Sequence, residues 1–118
     1  NAYIRERDRG RFCVSCGASE GDMKIGGTFD AGHYRSVGSA PQCRFHLLNC
    51  WKQCKQCNNF LSGNIVEYRK ELLRRIGAIS LEKLERFNAI RKYDIPYLQR
   101  IKSIFRRKKR LYERNFRD

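Results

Sequence analysis

Apolar positions along this chain form short, separated runs in its first half and recur at helical spacing in its second. Tyr3 and Ile4 form the inward side of a short helix over residues 2–9, which Gly10 ends. Residues 18–27 are rich in Gly, Ser and Asp and read as a loop. Residues 28–35 read as a strand broken by Gly32, residues 36–42 as a connection with Gly38 and Pro41, and residues 43–48 as the returning strand. A helix is expected to start near Lys55, since Asn58 and Leu61 begin a helical spacing. Ser62, Gly63 and Asn64 then give a helix-start signal, after which Ile65, Tyr68, Leu72 and Ile76 mark one face and Gly77 sits where helices close. Ser80 opens a further helix with Leu81, Leu84 and Phe87 inward. Asp94 caps a last one, which tolerates Pro96 in its first turn and carries a stripe of Leu98, Ile101, Phe105 and Tyr112. The pattern predicts an α+β fold, mostly helical: a ββα unit within a core over residues 1–76, followed by a basic helical extension over 77–118.

Charge narrows the function. Lys and Arg total 26 against 12 acidic residues in 118, a net charge of +14, which points to a polyanion such as nucleic acid. No apolar run approaches the ~18 residues of a spanning helix, so a membrane is not the expected partner. The chain begins at Asn1 rather than Met, which suggests a trimmed fragment.

Six cysteines are present, and four of them form two C-x-x-C pairs, Cys13/Cys16 and Cys54/Cys57. That chelating spacing, with no visible signal peptide, favours bound zinc in a reducing compartment over a disulfide framework. Four thiolates would close a tetrahedral zinc site, leaving no position for a reacting water, so the metal would be structural. Buried thiols or two disulfides remain the bland alternative, and Cys43 and Cys50 read as small core residues. Residues 17–53 separate the pairs, about twice the usual ~15–20-residue gap of four-cysteine modules. Something beyond a metal clamp has been inserted there.

The insert holds both histidines. Phosphodiester hydrolysis needs a base for water and a cation for the phosphate. The His33 imidazole suits the first task near neutral pH. Asp30 and the Asn58 side-chain carbonyl offer oxygens for a hard divalent ion such as Mg²⁺ or Mn²⁺, and Asn49 is expected to orient the imidazole. Singly each residue has a plainer role: a packed histidine, a turn cap, a helix cap. The combined order of knuckle, Asp, His, Asn, knuckle, Asn carries more weight.

That order resembles the HNH, or ββα-metal, nuclease superfamily, with an endonuclease VII-like placement of Asn58 directly after the last knuckle cysteine. More closely, Asp30-Ala-Gly-His33-Tyr-Arg, Asn49-Cys-x-Lys-Gln-Cys-x-x-Cys-Asn58 and Leu61-Ser-Gly-Asn64 resemble the lambdoid phage NinG (Rap) recombination nucleases, over roughly residues 1–76. The resemblance implies His33 as general base, Asp30 and Asn58 as ligands of a catalytic ion and Asn49 as the orienting residue. It implies a phage- or prophage-encoded endonuclease in the host cytoplasm that resolves Holliday junctions and other branched DNA. The chain departs from most HNH enzymes in placing Gly32, not an acidic ligand, directly before the base, with His46 as a substitute for Asp30.

Arg35, Arg44, Lys52 and Lys55 flank the expected site and Arg69 follows on the next helix, all candidates for phosphate contact. The run Arg106, Arg107, Lys108, Lys109 and Arg110 lies on the last helix, where its charges point all round. A solvated helix is the plain reading of such a run; phosphate contact fits the overall charge. Two symmetric cuts in a four-way junction call for a homodimer, for which the last helix's stripe is a candidate surface. Two rivals stand beside the resolvase: a non-catalytic zinc module that binds nucleic acid, and a general HNH nuclease that also cuts linear duplex.

Overall fold

The computed structural model describes residues 2–19, 29–89 and 94–117. Most of the loop expected over 18–27 lies outside the described residues. The fold is a small α+β structure with helix over about half of the chain. Its elements are α1 (Ala2–Arg7), β1 (Asp30–His33), a 3₁₀ turn (Pro41–Cys43), β2 (Cys50–Gln53), a wide π-type turn (Gln56–Phe60), α2 (Ile65–Arg86) and α3 (Ile95–Arg117).

The two strands pair antiparallel, with Asp30 opposite Gln53 and His33 opposite Cys50. The second strand therefore lies later than the pattern predicted. Residues 43–48 are not a strand, because the chain turns there: Arg44 N–H donates to Pro41 O, and the buried Asn49 side chain closes the loop. Its Oδ1 accepts from Arg35 N–H at 2.8 Å, while its Nδ2 donates to the carbonyls of Arg35 and Cys43 at 3.0 and 3.2 Å. β2 is buried at all four positions, so it lacks the alternation that marks a half-exposed strand.

Glycine and aspartate punctuate the helices near the expected positions. Gly77 breaks α2 with a left-handed φ of 82°, but helical turns resume at once, ahead of Ser80. Asp94 caps α3 by accepting from Tyr97 N–H at 2.8 Å. Leu81 and Leu84 beyond the break are fully buried with Val14, Tyr34, Tyr68 and Leu72 in one cluster, with Phe87 packed against it. Each such apolar side chain stabilises the fold by roughly 1.5–3 kcal/mol. The core therefore continues past residue 76 as far as Phe87.

A second cluster ties α1 and α3 to the hairpin. Tyr3 packs tilted against Phe105 and edge-on against Tyr112 at centroid distances of 5.2 and 5.7 Å. Part of the α3 stripe thus covers the chain's own core. Asp8 is fully buried, yet its carboxylate accepts from the Arg7 guanidinium at 2.7 and 2.9 Å and from Lys52 N–H at 2.9 Å. A buried charge so completely paired fixes α1 against β2.

Candidate metal centre and adjoining cleft

Cys13 and Cys16 sit on a turn that Gly17 completes with φ 77°, and Val14 N–H binds Lys52 O of β2 at 2.9 Å. β2 runs directly into Cys54 and Cys57, so the hairpin itself carries one knuckle to the other. The four sulfurs lie within 4.8 Å of one another, with Cys16 and Cys54 at 3.7 Å. Zinc–sulfur bonds of ~2.3 Å in a tetrahedron place sulfurs about 3.8 Å apart, so the cluster fits such an ion. Backbone amides support it: Cys16 N–H and Cys54 N–H donate to Cys13 Sγ at 3.5 and 3.3 Å, and Cys57 N–H to Cys54 Sγ at 3.5 Å. Burial pulls the Cys13 thiol up, but these amides outweigh it and hold it below the usual range. Asn64, expected only to start α2, also donates its Nδ2 to Cys57 Sγ at 3.5 Å. Cys43 and Cys50 lie buried in the other two clusters, as core residues.

The turn after Cys57 brings Asn58 to β1. Asn58 Nδ2 donates to Asp30 Oδ2 at 3.0 Å, and Lys55 Nζ to Asp30 Oδ1 at 2.8 Å. Burial pulls the Asp30 carboxyl up, yet Lys55 and Asn58 together hold it below the usual carboxylate range. Their donor set, a carboxylate and an amide carbonyl, is of the hard oxygen type that suits a divalent ion with few protein ligands.

His33 and Asn58 line one open cleft of about 700 Å³. The imidazole Nε2 lies 3.2 Å from Arg44 O. A carbonyl only accepts, so Nε2 carries the proton and Nδ1 the lone pair. Burial lowers the His33 pKa below its ordinary value, and the Arg44 carbonyl only partly opposes this. Asn49, expected to orient the imidazole, makes its amide bonds to Arg35 and Cys43 and so holds the loop that presents Arg44 to the ring. His46, the suggested substitute for Asp30, is not among the described residues lining this cleft: its Nδ1 accepts from Leu48 N–H at 3.2 Å and its ring packs edge-on against Phe87.

The basic candidates divide. Arg35 is half-buried and lines the cleft with His33 and Asn58, while its Nη1 donates to Leu84 O and Phe87 O at 3.0 and 2.8 Å, capping the end of α2. Lys52 is buried with its ammonium 4.4 Å from the centre of the Phe29 ring, which withdraws it from phosphate. Lys55 is half-exposed but paired with Asp30, and Arg69 is exposed but paired with Glu85 at 3.0 Å. Arg44, Arg106, Arg107 and Arg110 are exposed; Lys108 and Lys109 are half-buried. Sequence reasoning missed two further residues lining the cleft, Tyr34 and Glu85: Tyr34 Oη donates to Glu85 at 2.7 Å and burial pushes the phenol up to about 12. Nothing local in the sequence marks Glu85 for that place, 51 positions after Tyr34.

Among the described residues, no helix is long and apolar enough to cross a membrane. The family model described as "Bacteriophage Lambda NinG protein" matches residues 1–115. The chain is similar to "Protein ninG" of Escherichia phage lambda, 42% identical over 92% of this chain and 50% of the relative. It is similarly close to "Protein ninG" of Escherichia phage 933W, at 41%, and of Salmonella phage P22, at 40%, each over 92% of this chain and 51% of the relative. The chain thus spans about half the length of the curated relatives it matches. No solved structure matches it.

Proposed function

The chain belongs to the NinG family, and we propose that it is a structure-selective DNA endonuclease of the HNH, ββα-metal type, acting on four-way junctions and other branched DNA in phage recombination. The observation that carries the reading is the meeting of Asp30 with Asn58 at 3.0 Å, beside the cysteine clamp, with His33 and Asn58 on the walls of one cleft. Asp30 and Asn58 would present oxygens to Mg²⁺ or Mn²⁺, whose contribution is to neutralise charge that develops on the phosphate. His33 would take a proton from water at Nδ1, because Arg44 O occupies Nε2–H and thereby sets the tautomer. Asn49 would act one step removed, by fixing the loop that carries Arg44. The zinc-bound clamp would hold the hairpin and the turn of Asn58 in register without joining the chemistry. A homodimer in the host cytoplasm would supply the two incisions that a junction needs.

A second reading, a non-catalytic zinc module that binds nucleic acid, draws on the Lys55–Asp30 ion pair, which already satisfies one carboxylate oxygen within the chain. A labelled synthetic four-way junction separates the two, with Mg²⁺ or with no added divalent ion. The nuclease reading expects metal-dependent cutting that His33→Ala lowers at least ~100-fold, with junction affinity kept within about threefold. Tight binding without cutting by the wild type would favour the module. Equal cutting of linear duplex would make it a general nuclease instead.

A further inference from the structure

A second concavity borders His33 on its other side, between α1, residues 37–47 and α3, with a volume of about 680 Å³. Its interior is apolar. The Phe45 and Phe105 rings lie 6.3 Å apart, and Leu98 and Ile101 continue the wall along α3. Its rim is basic: Arg44, Lys102 and Arg106 are exposed there, and half-buried Lys109 reaches Glu113 at 3.3 Å. No Asp or Glu is among the described residues that line it. A wholly apolar occupant would cover Arg44, Lys102 and Arg106 while offering them no anionic partner. An unpaired nucleotide offers what both parts ask for, a flat ring for the aromatic interior and phosphates for the rim. Because His33 lines both this groove and the cleft of Asn58, a strand passing from one to the other crosses the imidazole.

We propose that this groove takes up an unpaired nucleobase next to the phosphate that His33 serves, so the feature recognised is a strand leaving its duplex. The inference rests on the nuclease reading for the role of His33 and deepens it by naming what is recognised. Stacking on Phe45 and Phe105 tolerates any base, which agrees with selection by structure rather than by sequence.

The test measures the affinity of the full chain, without added divalent ion, for three synthetic DNAs. These are a duplex with a single-stranded flap, the same DNA with an abasic site at the first unpaired position, and a fully paired duplex. The wild type is expected to bind the base-bearing flap roughly tenfold more tightly than the abasic one. Phe45→Ala, and separately Leu98→Glu at an exposed position, should erase that difference and leave duplex affinity within about twofold. Equal wild-type affinity for the two flaps would overturn the inference, as would variants that discriminate like the wild type. Sedimentation showing a dimer that Leu98→Glu dissolves would also overturn it, making the groove a seam between copies. Junction cleavage with Mg²⁺ is scored separately. Cutting without base discrimination defeats the groove alone, and discrimination without cutting defeats the catalytic reading alone.

Discussion

Gly32→Ala tests how the hairpin holds Asp30 and His33. A Cβ at position 32 would stand 2.0 Å from Gln53 Oε1 and 2.9 Å from Gln53 Cβ. The oxygen ends a flexible side chain and would ordinarily swing aside. Here the amide is held, because Nε2 donates to Gly63 O at 2.6 Å and to Ser15 Oγ at 2.9 Å. Turning it away forfeits two buried hydrogen bonds at ~1 kcal/mol each. The contact with the Gln53 stem adds ~1–3 kcal/mol of overpacking. Lower entropy of the unfolded chain returns about 0.5–1 kcal/mol. The net cost is about 3 kcal/mol, a large part of the ~5–15 kcal/mol that such folds possess. In a urea titration of metal-loaded protein, with a slope of ~1.5 kcal/mol/M, the midpoint should fall by about 2 M. Placed on a Gln53→Ala background, the same change should cost under ~1 kcal/mol, a coupling of about 2 kcal/mol. A single variant within ~0.5 kcal/mol of wild type, or strictly additive effects, would refute the steric account. The same crowding explains why no acidic ligand precedes His33: position 32 faces Gln53, with no room for a carboxylate.

Other predictions concern chemistry and charge. The His33 pKa lies below its ordinary value of 6.5, so a reaction using the neutral ring should speed up as pH rises through that lower pKa and level off by about pH 7. A pH–rate midpoint above 7 would exclude His33 as the base. Purified protein should hold one zinc per chain by atomic absorption, and stripping it should abolish cooperative unfolding in circular dichroism, since structural zinc supplies ~10–16 kcal/mol of apparent binding energy. A metal-free chain that still unfolds cooperatively would make the clamp dispensable. Replacing residues 106–110 by Gln should weaken binding to every DNA and lower the salt slope by about 2–3, at ~0.9 per phosphate, because three of the five side chains are exposed. An unchanged slope would take α3 out of the interface.

The cysteine clamp and the Asp30–Asn58 meeting were legible in the sequence because chelation and hydrogen bonding demand particular residue types at particular spacings. The Asp94 cap of α3 was legible for the same reason, whereas Asn64 starts α2 with no side-chain cap bond. β2 was not, since burial on both faces removes alternation, and its polar Lys52 and Gln53 side chains meet partners distant in sequence, Phe29 and Gly63. Residues 43–48 imitate a strand, but Pro41 and the Asn49 amide bend them into turns. Basic residues proved hardest to read. Lys52 looks like a neighbour of a phosphate, yet an aromatic ring claims it, and Arg35 lines the cleft with one guanidinium nitrogen committed to a helix end; composition shows neither.

Trp51 is the chain's sole tryptophan. Its indole lies 4.0 Å from the Arg7 guanidinium and 5.3 Å from that of Arg75, while Nε1 donates to Leu48 O at 2.8 Å. α1, α2 and the hairpin therefore converge on one natural fluorophore. Its emission colour and quenching follow that convergence directly, so stopped-flow fluorescence can time the parting of α1 and α2 from the hairpin, with no label attached.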